Sequence, residues 1–222
     1  MKFKKLSLCS ITKGRRIMCD IKQIWIRLKR FRYRCGYGVH SPFAFNFIAN
    51  VIYEKTLYYA YQELEKGKCA GRTEKERRSR RSRKVNRLLF RLVNWAQPLT
   101  VVDGGCSPMA SDYLRAAKKA TEYVALASVD TTGLLERRSI DFLYIDRPED
   151  MAFMECLFEY GAGQAGDRLV IVIRNIYRSA ATKTFWKQVT ADERVGVTFD
   201  LYDVGILFFD RSKIKQHYVV SF

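Results

Sequence analysis

Over residues 85–222, short apolar runs alternate with stretches of helical spacing. Val85, Leu88, Leu89, Leu92, Val93 and Ala96 fall on one helical face, and Pro98 stops that helix. Leu99 to Val102 is a compact apolar run that closes on Asp103, Gly104 and Gly105. The pattern then predicts a helix at 111–120, strands at 123–128 and 140–146, and a helix at 151–160 ended by Gly161, Gly163 and Gly166. A buried-type strand follows at 169–173, then a helix at 180–189. Strands at 195–202 and 205–209 flank a tight turn at Asp203 and Val204, and a last strand covers 216–222. Alternation of this kind predicts an α/β fold: a doubly wound, mostly parallel sheet with a C-terminal antiparallel hairpin.

The first 84 residues read differently. Ile21, Ile24, Trp25 and Leu28 share a face, with Lys22, Arg27, Lys29 and Arg30 over much of the rest, which predicts a basic amphipathic helix. Residues 1–18 are basic and weakly periodic, and Met18 offers a second start. Two glycines and Pro42 break the next stretch. Ser41 is placed to cap a helix with Pro42 in its first turn. Phe43, Phe47, Ile48, Val51 and Ile52 carry that helix, which the pattern runs to about Leu64. Residues 67–83, dense in Arg with Gly, Ser and Thr, read as a solvated linker. The expected organisation is a basic helical extension and linker at 1–84, followed by an α/β domain at 85–222.

Composition adds limits. A chain of 222 residues suits one domain with an extension, and no apolar run is long enough to predict a transmembrane helix. No long apolar stretch or small-residue cleavage site follows the basic N-terminus, so a secretory signal is not expected. The six cysteines are irregularly spaced and form no C-x-x-C pair, which predicts reduced thiols in a cytoplasmic protein. The formal net charge is +17. Residues 1–34 hold twelve Lys and Arg against Asp20, and residues 72–87 hold nine against Glu74 and Glu76. That concentration points to an anionic partner, nucleic acid or an acidic membrane surface, met through those two segments. The second segment has no interleaved aromatics, so base stacking is not expected there.

In an open α/β sheet, ligands bind beyond the carboxyl ends of the strands. One such end carries Asp103, Gly104, Gly105, Cys106 and Ser107, where glycines allow close approach of a ligand to the backbone. Two others carry Asp146 and Asn175, a carboxylate and an amide suited to a divalent cation or a substrate hydroxyl, or else to a cap and a turn. Arg174 opposes a cation by its charge. Neither His40 nor His217 stands beside a sequence nucleophile, and no phosphate-binding P-loop or H-E-x-x-H motif is present.

Four stretches together resemble the class I S-adenosylmethionine-dependent methyltransferases, in a bacterial subgroup with a G-V-H-S-P-F signature. They are Tyr37-Gly38-Val39-His40-Ser41-Pro42-Phe43; the lead-in helix and first strand from Leu88 to Gly105; Ile140-Asp141-Phe142-Leu143-Tyr144-Ile145-Asp146; and the C-terminal helix, hairpin and last strand from Phe185 onward. The resemblance implies a methyltransferase-type, Rossmann-like sheet, S-adenosylmethionine as cofactor, and transfer of its methyl group to an acceptor. It places Asp103, Gly104, Gly105 and Ser107 along the cofactor, Asp146 near the methyl group or a metal, and Asn175 near the acceptor. The chain also departs from the family pattern. Pro108 and Met109 stand where the loop normally ends in glycine. The acid expected after the second strand is matched by Ala127 or Ser128, with Asp130 the nearest substitute. The gap before Asp141 is too short for the usual helix–strand–helix, so the sheet is expected to be shortened on its adenine side. Arg174 replaces an acid after the fifth family strand, and no metal is expected. Two functional classes remain open: a methyltransferase of reduced or lost activity with an unknown acceptor, and a non-catalytic module of the same fold that binds an anionic partner through its basic extension.

Overall fold

The computed structural model describes residues 30–33, 38–66, 74–126 and 139–222, with backbone alone at 74–80. The amphipathic pattern at 21–28, Tyr37, Ala127, Ser128 and Asp130 lie outside these residues. A short 3-10 turn, Phe31–Tyr33, precedes α1 (Pro42–Phe47), where the Ser41 hydroxyl accepts from the Ala44 N–H at 3.4 Å and Pro42 opens the first turn. The expected single helix to Leu64 is not what forms. A π-helical turn, Ile48–Ile52, follows α1, the chain opens at Tyr53, and α2 is a separate helix at Tyr59–Glu65. The apolar stripe continues through the π turn, so burial survives while the helical hydrogen bonding is reset.

Helix α3 (Glu74–Ala96) corrects the linker reading: residues 74–83 are helical, and α3 runs unbroken through positions 84 and 85. Arginine is a good helix former, so a polar, Arg-dense stretch joined to an apolar helical stripe propagates that helix. The remaining elements are β1 (Thr100–Gly105), α4 (Pro108–Ala117), β2 (Glu122–Ala125), β3 (Phe142–Asp146), α5 (Met151–Gly163), β4 (Val170–Arg174), α6 (Ala180–Ala191), β5 (Val197–Asp200), β6 (Val204–Phe208) and β7 (Gln216–Val219). Gly161 does not end α5. It lies inside the helix, where a Cβ would approach Leu143 Cδ2 to 2.9 Å, so the glycine lets α5 sit close on the sheet.

The seven strands run in the order β2-β1-β3-β4-β6-β5-β7. Among the described strands only β6 is antiparallel to its neighbours: it pairs antiparallel with both β4 and β5, while β7 lies parallel to β5. This is a doubly wound, mostly parallel, Rossmann-like sheet. Period-2 alternation divides its side chains between two cores. On one face, Val101, Phe142, Tyr144, Val170 and Val172 pack with α3, α4, α1 and the π turn. On the other, Val102, Leu143, Ile145, Ile171 and Ile173 pack with α5 and α6. The residues of α1 and the π turn thus share the sheet's own core, and Phe47 sits among Phe43, Trp95, Phe199 and Phe208.

Glu65 joins three helices. It accepts both Nε and Nη2 of Arg87 at 2.7 Å and the Tyr113 hydroxyl at 2.7 Å. The Arg87 hydrogen bonds, which outweigh burial, hold its carboxyl below the usual range. A carboxyl depressed in the folded state contributes stability above its unfolded pKa, about 4.3, and loses it as pH falls through the folded value. Glu65→Gln should therefore flatten the melting temperature profile below about pH 4.3 relative to the parent. Thermal melts across that range check it; parallel profiles would refute the assignment.

Candidate functional site

The sheet order reverses between β1 and β3, since β2 lies outward on one side of β1 and the chain then builds outward from β3 on the other. That switch point opens a crevice at the carboxyl ends of both strands. Gly105 pairs in register with Asp146, and Asp103 with Tyr144, so the residues expected along a ligand do converge here. Asn175 joins them from the end of β4, its Nδ2 donating to Asp146 Oδ1 at 2.7 Å.

Asp103 is 2% exposed. Its Oδ1 accepts the Gly105 N–H at 2.8 Å, and its Oδ2 accepts the Ser111 hydroxyl at 2.6 Å and the Tyr123 hydroxyl. Burial, with the bond to Asp103 added, pushes the Tyr123 hydroxyl up to about 12, so it stays a donor. The carboxylate shapes the turn from within. The glycines do the same. They belong to β1 rather than to a loop, and a Cβ on Gly104 would stand 2.3 Å from Leu157 Cδ1, one on Gly105 2.7 Å from Tyr144 Cε1. They make room for α5 and for a tyrosine ring.

Asp146 is held just as closely. Besides Asn175, it accepts the Tyr144 hydroxyl at 3.0 Å and pairs with Arg174 Nη1 at 3.4 Å. Arg174 Nη2 reaches Ser82 on α3 at 3.2 Å. Burial pushes the Tyr144 hydroxyl well above its ordinary value, with the Asp146 charge adding to it. For Arg174, burial alone would weaken the charged form, but Tyr144 and Asp146 outweigh it and hold the guanidinium protonated. A guanidinium on the carboxylate disfavours a divalent cation there. Among the described residues no three His, Cys, Asp or Glu side chains form a metal-holding group.

Two polar side chains are not spent on the fold. Ser107 is the N-cap residue of α4, yet its side chain makes no cap hydrogen bond. Asn86, fully buried on α3, has neither amide atom hydrogen-bonded. It stands one turn after Ser82, which Arg174 meets. A buried amide without partners is costly unless something satisfies it. These groups fit the amino-acid end of a cofactor: an uncapped helix start takes a carboxylate, and an amide takes an amine or carboxylate. An acid that held a ribose would stand after β2, which ends at Ala125; the Leu126 N–H that follows is given to the Asp103 carbonyl. Asp130, the substitute expected for that role, lies outside the described residues.

Beside Asp146 lies a cleft of about 490 Å³ lined by Arg174, Asn175, Tyr177, Arg178, Tyr202 and residues of α3. Asn175 and Tyr202 both have positive φ, 62° and 72°. Backbone of that kind is uncommon outside glycine and is kept only where surroundings over-determine it. Here the Asn175 N–H is bonded to the Asp203 carbonyl at 2.7 Å and the Tyr202 N–H to Asp200 Oδ1 at 2.8 Å. Sequence reasoning missed Tyr123, Ser111, Ser82 and Asn86. Helical spacing on α3 pairs Ser82 with Asn86, and period 2 along β2 turns Tyr123 to the Asp103 side, but neither shows what lies opposite.

No family model matches the chain, and no curated protein matches it. Solved structures do. A methyltransferase from Geobacter sulfurreducens is 15% identical, covering 71% of this chain and 92% of its own, with a TM-score of 0.46. An O-methyltransferase from Bacillus cereus, solved in complex with SAH, is 13% identical over 73% of this chain and 96% of its own, at 0.39. A putative O-methyltransferase from Klebsiella pneumoniae is 9% identical over 70% and 92%, at 0.45.

Proposed function

We propose that this chain is a methyltransferase-like protein that binds S-adenosylmethionine in the crevice between β1 and β3 and transfers its methyl group slowly or not at all. The carrying observation is the switch point itself, with the Asp103–Ser107 segment on one strand, Asp146 on the next, and the uncommitted Ser107 at the start of α4. The cofactor, when bound, supplies an electrophilic methyl group. The protein's own part would be positional: the start of α4 holds a carboxylate, and Asn86 orients the polar end. Asp146 is a poor general base, since Arg174, Asn175 and Tyr144 already occupy its oxygens. The Gly38-to-Phe43 stretch supports a place in the bacterial subgroup named above, and the irregular cysteine spacing supports a cytoplasmic setting.

Calorimetry with S-adenosylmethionine should give a saturable isotherm, and Asn86→Ala should weaken it about tenfold, roughly one lost hydrogen bond to a charged group. The same substitution should leave the melting temperature unchanged or raised, because it removes an unsatisfied buried amide. Absence of binding at millimolar cofactor would remove the reading. The neutralised Asp146 also favours a second reading, a non-catalytic module that meets nucleic acid or another anionic partner through residues 1–34 and 72–87. Its mark would be association that weakens steeply with salt and is indifferent to cofactor. Among the described residues no helix is long and apolar enough to cross a membrane.

A further inference from the structure

On the side of α3 away from the crevice lies a second cleft, of about 430 Å³, between α3 and the end of the π turn. Lys55, Arg83, Lys84, Arg87 and Arg91 line it, against one carboxylate, Glu54. The acids nearby are already committed: Glu54 accepts the Tyr58 hydroxyl at 2.8 Å, and Glu65 takes both forks of Arg87.

Arg91 is the telling residue. It is 7% exposed, yet its Nε and Nη2 donate to the carbonyls of Val51 and Ile52, at 2.7 and 3.1 Å. Both acceptors are neutral, and no carboxylate among the described residues forms an ion pair with it. A buried guanidinium bonded to neutral groups keeps its full charge uncompensated, which is costly in a low-dielectric setting and is relieved by a counter-ion. Arg83 stands two turns earlier on α3 and is half-buried. Its Nε is shielded from solvent with no acceptor, and its nearest approach to Glu65 is a loose 3.9 Å. The π turn is what makes the arrangement possible, because its reset hydrogen bonding ends at Ile52 and leaves the carbonyls that seat Arg91.

We infer that the cleft between α3 and the π turn is a binding site for a phosphate group, with the buried Arg91 and the half-buried Arg83 as its donors and Lys55 at its mouth. Guanidinium forks match phosphate oxygens in pairs, and a ligand with two or more negative charges would supply the missing counter-charge. Tyr53 and Phe222, which also line the cleft, give the remainder of such a ligand an aromatic wall. The inference is independent of the cofactor reading, since it uses none of the crevice residues.

The test uses the full chain and pyrophosphate, followed by calorimetry and phosphorus NMR at moderate salt. Saturable binding is expected, and Arg83→Gln should weaken it about tenfold or more, one charge-assisted contact being lost. Arg91→Lys keeps the charge without the fork and should also weaken it. Should that variant fold poorly, Lys55→Gln supplies an exposed substitution with the same expected direction. Arg178→Gln, in the cleft beside Asp146, should leave affinity unchanged. No saturable binding at 10-fold molar excess and above, or equal loss in Arg178→Gln and Arg83→Gln, would overturn the site in favour of diffuse charge attraction. An oligothymidylate arm separates the sources. Binding that Arg83→Gln weakens in parallel indicates a nucleic-acid backbone, whereas pyrophosphate binding alone indicates a free phosphorylated molecule. S-adenosylmethionine titrated into the same variants should bind as in the parent, so the two readings fail separately.

Discussion

Asp146→Ala should destabilise the protein by about 3–5 kcal/mol, the cost of leaving a buried guanidinium without its carboxylate. Arg174 has a side chain 15% exposed and Asp146 one 7% exposed, so solvent does little to replace the lost partner. The substitution also strands the Asn175 amide and the Tyr144 hydroxyl, both donors to the same carboxylate. Urea unfolding of Asp146→Ala and of the double variant Asp146→Leu/Arg174→Met separates the two contributions. The double variant should recover much of the loss, because a hydrophobic pair of similar volume is often neutral beside a buried ion pair. A single-variant cost under about 1 kcal/mol, the range of exposed pairs, would show that the network is a surface one. The result bears on chemistry too. A carboxylate whose removal costs this much serves the fold first, and that fits slow transfer.

Asp103→Ala is the second large effect, about 3 kcal/mol or more. Three donors lose a charged acceptor, each such bond contributing about 1.5–3 kcal/mol with incomplete additivity. Tyr123→Phe and Ser111→Ala should each cost less than Asp103→Ala, since each removes one bond and leaves the others. Asp103→Asn should fall between, because an amide oxygen accepts while its NH2 must face a donor. Chemical unfolding curves with unchanged slopes would measure this ranking. If Asp103→Ala were as stable as the parent, the turn would be held by something other than this carboxylate. Cofactor affinity should fall together with stability here, whereas Asn86→Ala should lower affinity alone. That contrast separates groups that build the turn from groups that face a ligand.

The alternation of apolar strands and helical stripes in residues 85–222 was enough to read the α/β class, because each buried strand and each amphipathic helix carries its own period. Pro98 stopped α3, and Ser41 with Pro42 started α1, through bonds that form within four residues of the signal. Local signals misled where the deciding partner was distant. The glycines at 104 and 105 read as a ligand loop, but they are strand residues, made necessary by Leu157 and Tyr144. Gly161 read as a helix end, and its absence of a side chain instead seats α5 on Leu143. Residues 74–83 read as a linker because their polarity was taken without the apolar stripe that follows them.

Residue type and spacing placed Asp103, Asp146 and Asn175 at the ends of neighbouring strands, and the parallel register brought them to one crevice. Whether each carboxylate faces a ligand or the protein depends on side chains from other elements: Tyr123 from β2, Ser111 from α4, Arg174 from β4. No period along a single segment encodes those meetings. The same holds for Arg91, one arginine among many in sequence, whose uncompensated burial exists only once the π turn sets two neutral carbonyls against it. The sequence thus determined the sheet, its helices and the positions of the acids. The tertiary structure alone decided which charges are spent on one another and which are left open, because charge neutralisation in a folded protein is a matter of distance and burial rather than of order along the chain.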